Sequence, residues 1–370
     1  LEEMIKKELE RRNITANEFA KMINVTPGNL SKFFNKKSEL SFITFLNMIH
    51  ALFPEKEMKL MEKYVLSCSK PKNVRLSMEY VSRHYLSELL EKIVEKSFKV
   101  NNSLTEEFAE LYKFLNEMSE KDFPKSFMSK FLSIQPKGRT SKLLLNLIFS
   151  YYLLKRSDYR TLFELLDEIQ TGIENMKDGF LKDSFKTRVF EIYSDAYLAL
   201  FEMEKTRKYA QKILEYPYAG GKVLARAYHN LGFSYLFESK EKTTCYLDKS
   251  VKIFNEYGYE KEAQWVLGNR LMVVKNYYSM VDETYFEENK DDKPIEYAHF
   301  LVKSRKHEEA LRVLESVPDN PLKDYIKGLC FSDKKGIVLL YRSMLSFERI
   351  GNKFSAHMVG EELRRRGYHT

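Results

Sequence analysis

Ile14-Thr15-Ala16-Asn17-Glu18-Phe19-Ala20-Lys21-Met22-Ile23-Asn24-Val25-Thr26-Pro27-Gly28-Asn29-Leu30-Ser31-Lys32-Phe33-Phe34-Asn35-Lys36-Lys37 holds two helix starts in close succession. Thr15 and Glu18 have capping-box spacing: the Thr15 hydroxyl can take up a free N–H of the first turn while Glu18 reaches back. Thr26 is a second N-cap, with Pro27 in the first turn, where a missing N–H costs nothing. Only Asn24-Val25 separates the two helices, which is the helix-turn-helix pattern. Phe19, Ala20, Ile23 and Leu30, with Phe33 or Phe34, supply an apolar face. Asn29, Ser31, Lys32, Asn35, Lys36 and Lys37 remain for the outer face, and no acid falls between residues 26 and 38. Helix N-terminal N–H groups meet phosphate, Asn pairs with adenine edges, and lysines neutralise backbone charge. Thr26, Asn29, Ser31, Lys32, Asn35, Lys36 and Lys37 are therefore the candidate DNA-binding residues. A solvated basic helix would account for Lys36 and Lys37, but less well for the caps, turn length and charge segregation together. Upstream, Met4, Ile5 and Leu9 open a first helix; downstream, Phe42, Phe45, Leu46, Ile49 and Leu52 close a small core that Pro54 ends. The helix-turn-helix domain is thus expected at residues 1–54.

Across the whole chain the composition favours helix. There are 14 glycines and 9 prolines in 370 residues, about half the usual combined share of about 12%. Sheet-rich folds need turn residues every 8–12 positions or so, and this chain lacks them, which excludes a sandwich, a propeller or a Rossmann-type enzyme. Hydrophobic residues at 44% and charged residues at 31% read as an ordered, helical protein, and the net charge of +8 suits an acidic partner such as nucleic acid. Cys68, Cys245 and Cys330 form no CxxC pair, so neither a zinc knuckle nor a disulfide framework is indicated, and a reducing cytoplasm fits. The most apolar stretch, Leu143 to Leu154, is interrupted by Asn146 and Ser150 and is short of the ~20 residues a bilayer span needs. No membrane partner is expected.

From Glu55 onward, helix follows helix. Tyr228, Leu231, Gly232 and Tyr235, then Thr244 and Val251, echo Phe190, Tyr193, Ser194 and Tyr197, then Thr206, Ala210 and Ile213. Tyr297, Ala298 and Leu301 followed by Ala310, Leu314, Val317 and Pro318 make the cleanest copy. Bulky residues with a small one at the helix contact, then a second helix with small residues, is the tetratricopeptide (TPR) arrangement. The expected fold is all-α: the helix-turn-helix domain, then a degenerate TPR right-handed solenoid. Residues 55–180 would form linker and degenerate TPR-like helices, and 181–370 a peptide-binding and C-terminal capping or oligomerisation region. First helices of such a solenoid line a concave face, where Asn and Arg bond a bound peptide's backbone and termini. Candidates there are Asp195, Arg226, His229, Asn230, Asn269, His299 and Tyr325, with Asp195 and Asn269 at equivalent repeat positions. Phe233 and Met272 suit groove lining and core equally, and any single polar position could simply be solvated.

No enzyme is indicated and no catalytic, metal-binding or cofactor-binding residue is assigned. The 7 histidines show no HExxH or other metal spacing. Gly220-Gly221-Lys222 lacks the first glycine and the Ser/Thr of a P-loop.

Several short blocks carry a resemblance. They are Leu52-Phe-Pro-Glu55 with Met61-Glu-Lys-Tyr64, Ser77-Met-Glu-Tyr80, Gly179-Phe-Leu-Lys-Asp-Ser-Phe-Lys-Thr-Arg-Val189, Arg207-Lys-Tyr-Ala-Gln211, and Tyr325-Ile-Lys-Gly-Leu329 with Asp333-Lys-Lys335. With the Cro-like reader and the degenerate repeats, the chain resembles the RRNPP peptide-sensing regulators, and within them the AimR-type arbitrium receptors of Bacillus phages. The resemblance implies a cytoplasmic, homodimeric, DNA-binding transcription regulator of the lysis–lysogeny decision. A secreted hexapeptide ending Arg-Gly-Ala would enter its groove and stop its activation of transcription. The resemblance also sets Lys222 at a groove position where the family has Arg, Asp195 where it tends to have Asn, and Ala199 where a second Asn often follows. A host regulator of the PlcR or Rgg kind, or a TPR protein–protein adaptor, remains the alternative.

Overall fold

The structure is a computed structural model that describes residues 2–119, 126–267, 272–280, 283–288 and 290–369; among these the regular structure is helical and no strand occurs. The chain divides into two compact units, Leu1–Phe149 with Thr171–Phe185, and Ser150–Gln170 with Lys186–Thr370.

The first unit opens with α1 (Glu2–Arg11), α2 (Ala16–Met22), α3 (Pro27–Phe34) and α4 (Phe42–Leu52). The capping box forms at α2: the Thr15 hydroxyl accepts from the Glu18 N–H at 3.3 Å, and the Glu18 carboxylate accepts from the Thr15 N–H at 2.8 Å. Asn24, at φ 53°, ends α2 in the left-handed conformation that Asn tolerates, and the Val25 N–H returns to the Ala20 carbonyl at 2.8 Å. Thr26 then caps α3, accepting from the Asn29 N–H at 3.3 Å. Ile5, Leu9, Phe19, Ala20, Ile23, Leu30, Phe33, Phe45 and Leu46 are buried together as the core of this four-helix module.

Two devices tie the module to α5 (Glu57–Ser67) and α6 (Pro71–Arg83). The Phe45 ring stacks on Tyr64 at 4.3 Å, and Phe42 packs within 6.0 Å of Tyr64, 5.7 Å of Tyr80 and 5.0 Å of Phe180. Glu39 turns to the start of α6, accepting from the Ser69 N–H at 2.9 Å and the Asn73 amide at 2.5 Å. Burial raises the Glu39 pKa, but these donors outweigh it and hold the carboxyl below its usual value. The unit continues through α7 (Ser87–Ser97), α8 (Ser103–Ser119) and α9 (Phe127–Ser133). Glu79, fully buried, accepts from the hydroxyls of Tyr112 and Ser184.

The division between units falls within α10 (Arg139–Lys155), α11 (Tyr159–Glu174) and α12 (Phe180–Ala199). In the second unit, α13 (Met203–Leu214), α14 (Gly221–Ser234), α15 (Lys240–Glu256) and α16 (Glu260–Trp265) pack consecutively. After α17 (Met272–Tyr277) and α18 (Glu283–Glu288) come α19 (Pro294–Lys303), α20 (His307–Glu315), α21 (Pro321–Cys330), α22 (Lys334–Arg349) and α23 (Lys353–Arg365). Gly232 and Gly328 let neighbouring helices approach: a Cβ on either would stand 2.8 Å from Leu247 or Leu340 respectively.

Candidate functional site

The first candidate surface is the outer face of α3. Leu30 and Phe33 are buried, whereas Thr26, Asn29, Ser31, Lys32, Asn35, Lys36 and Lys37 are all exposed. The Asn35 amide donates to the Ser31 hydroxyl at 3.4 Å, which aligns the two along one side. Lys36 sits at φ 55° and closes the helix, so its neighbour's N–H returns to the Lys32 carbonyl at 2.8 Å. Glu39, the next acid along the chain, is engaged at α6, which leaves the face basic. A Cβ at Gly28 would meet nothing within 4 Å, so bare backbone is open at the start of α3, where N–H groups suit phosphate.

The second is a cavity of about 640 Å³ in the second unit, within the range of small-ligand sites. Lys222, Arg226, His229, Asn230 and Phe233 recur at helical spacing and present one face of α14 to it. Asp195, Leu198 and Ala199 face them from α12, and Glu262, Trp265 and Val266 from α16 and its end. Ser157 comes from the turn after α10 and Tyr159 from the start of α11, and Ile350, Asn352, Phe354 and Ser355 from the junction of α22 and α23.

Two ion pairs sit in this cavity. Arg226 meets Asp195 at 2.5 Å and Lys222 meets Glu262 at 2.5 Å. Burial pushes the Glu262 carboxyl up, but the Lys222 hydrogen bond and charge outweigh it and hold it below its usual value. The side chains of Arg226 and Asp195 are 41% and 23% exposed, so their pairing contributes only about 0–1 kcal/mol. Incoming charges can therefore replace it at small cost. Buried Asn230 orients the carboxylate, donating to Asp195 at 2.7 Å and to the Ser194 hydroxyl at 3.0 Å. Its carbonyl oxygen accepts from His229 Nδ1 at 3.0 Å. His229 stacks on Phe233 at 5.0 Å and approaches Trp265 at 5.9 Å. The cavity thus offers two carboxylates, two cations, a buried amide and an aromatic wall. This suits a short zwitterionic chain; among the described residues no His/Cys/Asp/Glu group could hold a metal.

Of the candidates from sequence, Asp195, Lys222, Arg226, His229, Asn230 and Phe233 line this one cavity. His299 and Tyr325 do not. Both are buried among the C-terminal helices, their rings edge-on at 5.6 Å, because that face of α19 packs on α21. Asn269 lies outside the described residues, as does the side chain of Met272. Trp265, Glu262, Phe254, Phe354 and Tyr159 were not among the sequence candidates; the signal that Trp265 offered was being the only tryptophan.

Gly351, at φ 74°, sits beside the cavity where a Cβ would stand 2.8 Å from Ser157 and 3.0 Å from Tyr159. Gly351→Ala should lose about 1–3 kcal/mol, read as an earlier urea midpoint. Burial and the Lys303 charge hold the His299 pKa down to about 3. The unfolded chain binds that proton at its ordinary pKa near ~6.5, so stability falls as pH drops from there toward 3. His299→Phe should flatten this slope in chemical denaturation across the acid range; an unchanged slope would show that His299 does not contribute to it.

A family model described as AimR transcriptional regulator-like matches residues 57–365, and a helix-turn-helix model matches residues 5–53. The chain is 23% identical to the AimR transcriptional regulator of Bacillus phage SPbeta, over 98% of this chain and 95% of that protein. Two solved structures share the fold with a TM-score of 0.72. The first, selenomethionine phAimR, is 22% identical and covers 100% of this chain and 97% of its own. The second, phAimR with ligand, is 20% identical and covers 87% of this chain and 96% of its own.

Proposed function

The chain belongs to the AimR transcriptional regulator-like family, and from that premise we propose that it reads operator DNA through α3 and answers to a short peptide held in the cavity of the second unit. The family is one of transcriptional regulators, not enzymes. The observation that carries the peptide reading is the convergence of six sequence candidates on one cavity with two ion pairs, one of them readily exchanged. A hexapeptide ending Arg-Gly-Ala brings one guanidinium and one terminal carboxylate. Asp195 or Glu262 takes the first, Arg226 or Lys222 the second, while Asn230 holds Asp195 in place. The solved relative with a ligand supports this reading. On our proposal, residues 1–54 are the reader, the protein works as a homodimer in the bacterial cytoplasm, and peptide stops its activation of a phage gene in the lysis–lysogeny decision.

The energetics are sufficient. A ligand shifts a conformational equilibrium only by its differential affinity for the two states. Moving a population from 99:1 to 1:99 takes about 5.5 kcal/mol, and hydrogen bonds to charged groups contribute about 1.5–3 kcal/mol each. Two to four such bonds, made in one state and absent from the other, are enough.

The test is binding of the purified chain to its own upstream intergenic DNA at two salt concentrations, with and without the hexapeptide encoded beside it. Specific binding that weakens with salt and is lost with peptide supports the proposal. Binding indifferent to peptide removes the peptide half, and the absence of specific binding at either salt favours a protein adaptor.

A further inference from the structure

We propose that Trp265 is a specificity-determining residue of the cavity, selecting peptides that carry an apolar side chain against its indole; this rests on the peptide-receptor reading above. Trp265 lines the cavity yet remains 45% exposed, whereas Phe233 and Phe354, deeper along the same wall, are 2% and 9% exposed. The rings form a graded series. Trp265 lies 5.9 Å from His229, His229 5.0 Å from Phe233, and Phe233 5.7 Å from Phe354. An indole left half in water at a cavity wall is apolar surface that a ligand can cover, and that burial is favourable in proportion to area.

Its position is set from one turn away. Glu262, on the same short helix, pairs with Lys222 of α14 at 2.5 Å, and Ala263 of that helix is fully buried in the core. The indole is thus held over the α14 face rather than carried on a free loop. The charged groups of the cavity hold features that every peptide of a given ending shares, namely a terminus and a cation. They cannot distinguish peptides that differ only in apolar side chains. Trp265 can, since a pocket discriminates a missing methylene by roughly 10- to 200-fold.

The probes are Ala-Ala-Ala-Arg-Gly-Ala and three variants with Leu at the first, second or third position, bound to the full chain in calorimetry and followed by tryptophan emission. Trp265 is the only tryptophan, so the emission reports it alone. One Leu peptide is expected to bind roughly tenfold tighter than the all-Ala peptide and to shift the emission to the blue. Trp265→Ala should erase that preference, bringing the Leu and all-Ala peptides to the same affinity, and Trp265→Phe should restore most of it. Equal losses for all peptides in Trp265→Ala, or a bound Leu peptide that leaves the emission unmoved, would overturn the assignment. No binding of any peptide by the unaltered chain would overturn the peptide reading itself.

Discussion

Alanine in place of Phe45 is expected to destabilise the first unit by about 3–5 kcal/mol and to weaken DNA binding without altering any residue on the outer face of α3. Phe45 is fully buried, stacks on Tyr64 at 4.3 Å and meets the Phe33 ring edge-on at 6.4 Å. Phe33 lies on the inner side of α3, so Phe45 is the bridge by which α4 supports the reading helix and α5 supports α4. Whole-domain stability is commonly about 5–15 kcal/mol, so the loss is a large share of it. Chemical denaturation followed by circular dichroism measures the change. A drop below about 1 kcal/mol would mean that the aromatic stack does not carry the module.

The second large effect is electrostatic. Changing Lys32, Lys36 and Lys37 together to alanine should reduce the slope of log affinity against log salt by about 3, one for each phosphate that a lysine no longer neutralises. Stability should hardly change, because all three side chains are exposed and pair with no acid among the described residues. Fluorescence anisotropy on the upstream DNA at several salt concentrations separates the two readings of this helix. An unchanged slope would leave it a solvated surface. Single changes at Asn29 would, by contrast, relax sequence preference with little effect on the slope.

The reader was legible because its signals are local. Thr15 with Glu18, and Thr26 with Pro27, each declare a helix start within a few residues, and both caps form. On α14, Arg226, His229 and Asn230 were candidates from the repeat pattern, Phe233 suited groove and core equally, and Lys222 came from the resemblance alone; all five line the cavity. The rest of the cavity was not legible. Trp265 and Glu262 reach it from another helix, and Ile350 to Ser355 from the far end of the chain; no periodicity within one helix reveals such meetings. His299 and Tyr325 went astray for a related reason. Period places them on a face but does not say whether that face meets a groove or another helix, and here the two faces, on α19 and α21, meet each other.

The contact between Phe42 and Phe180, 5.0 Å apart at their ring centres, sets a schedule for the newborn protein. Ribosomes add about 5–20 residues per second, so roughly 7–28 s pass between the emergence of the first ring and the second. Through that interval α4 waits with one side of Phe42 uncovered. The nascent reader completes its packing only once residue 180 has been made, which disfavours DNA binding by shorter chains still on the ribosome.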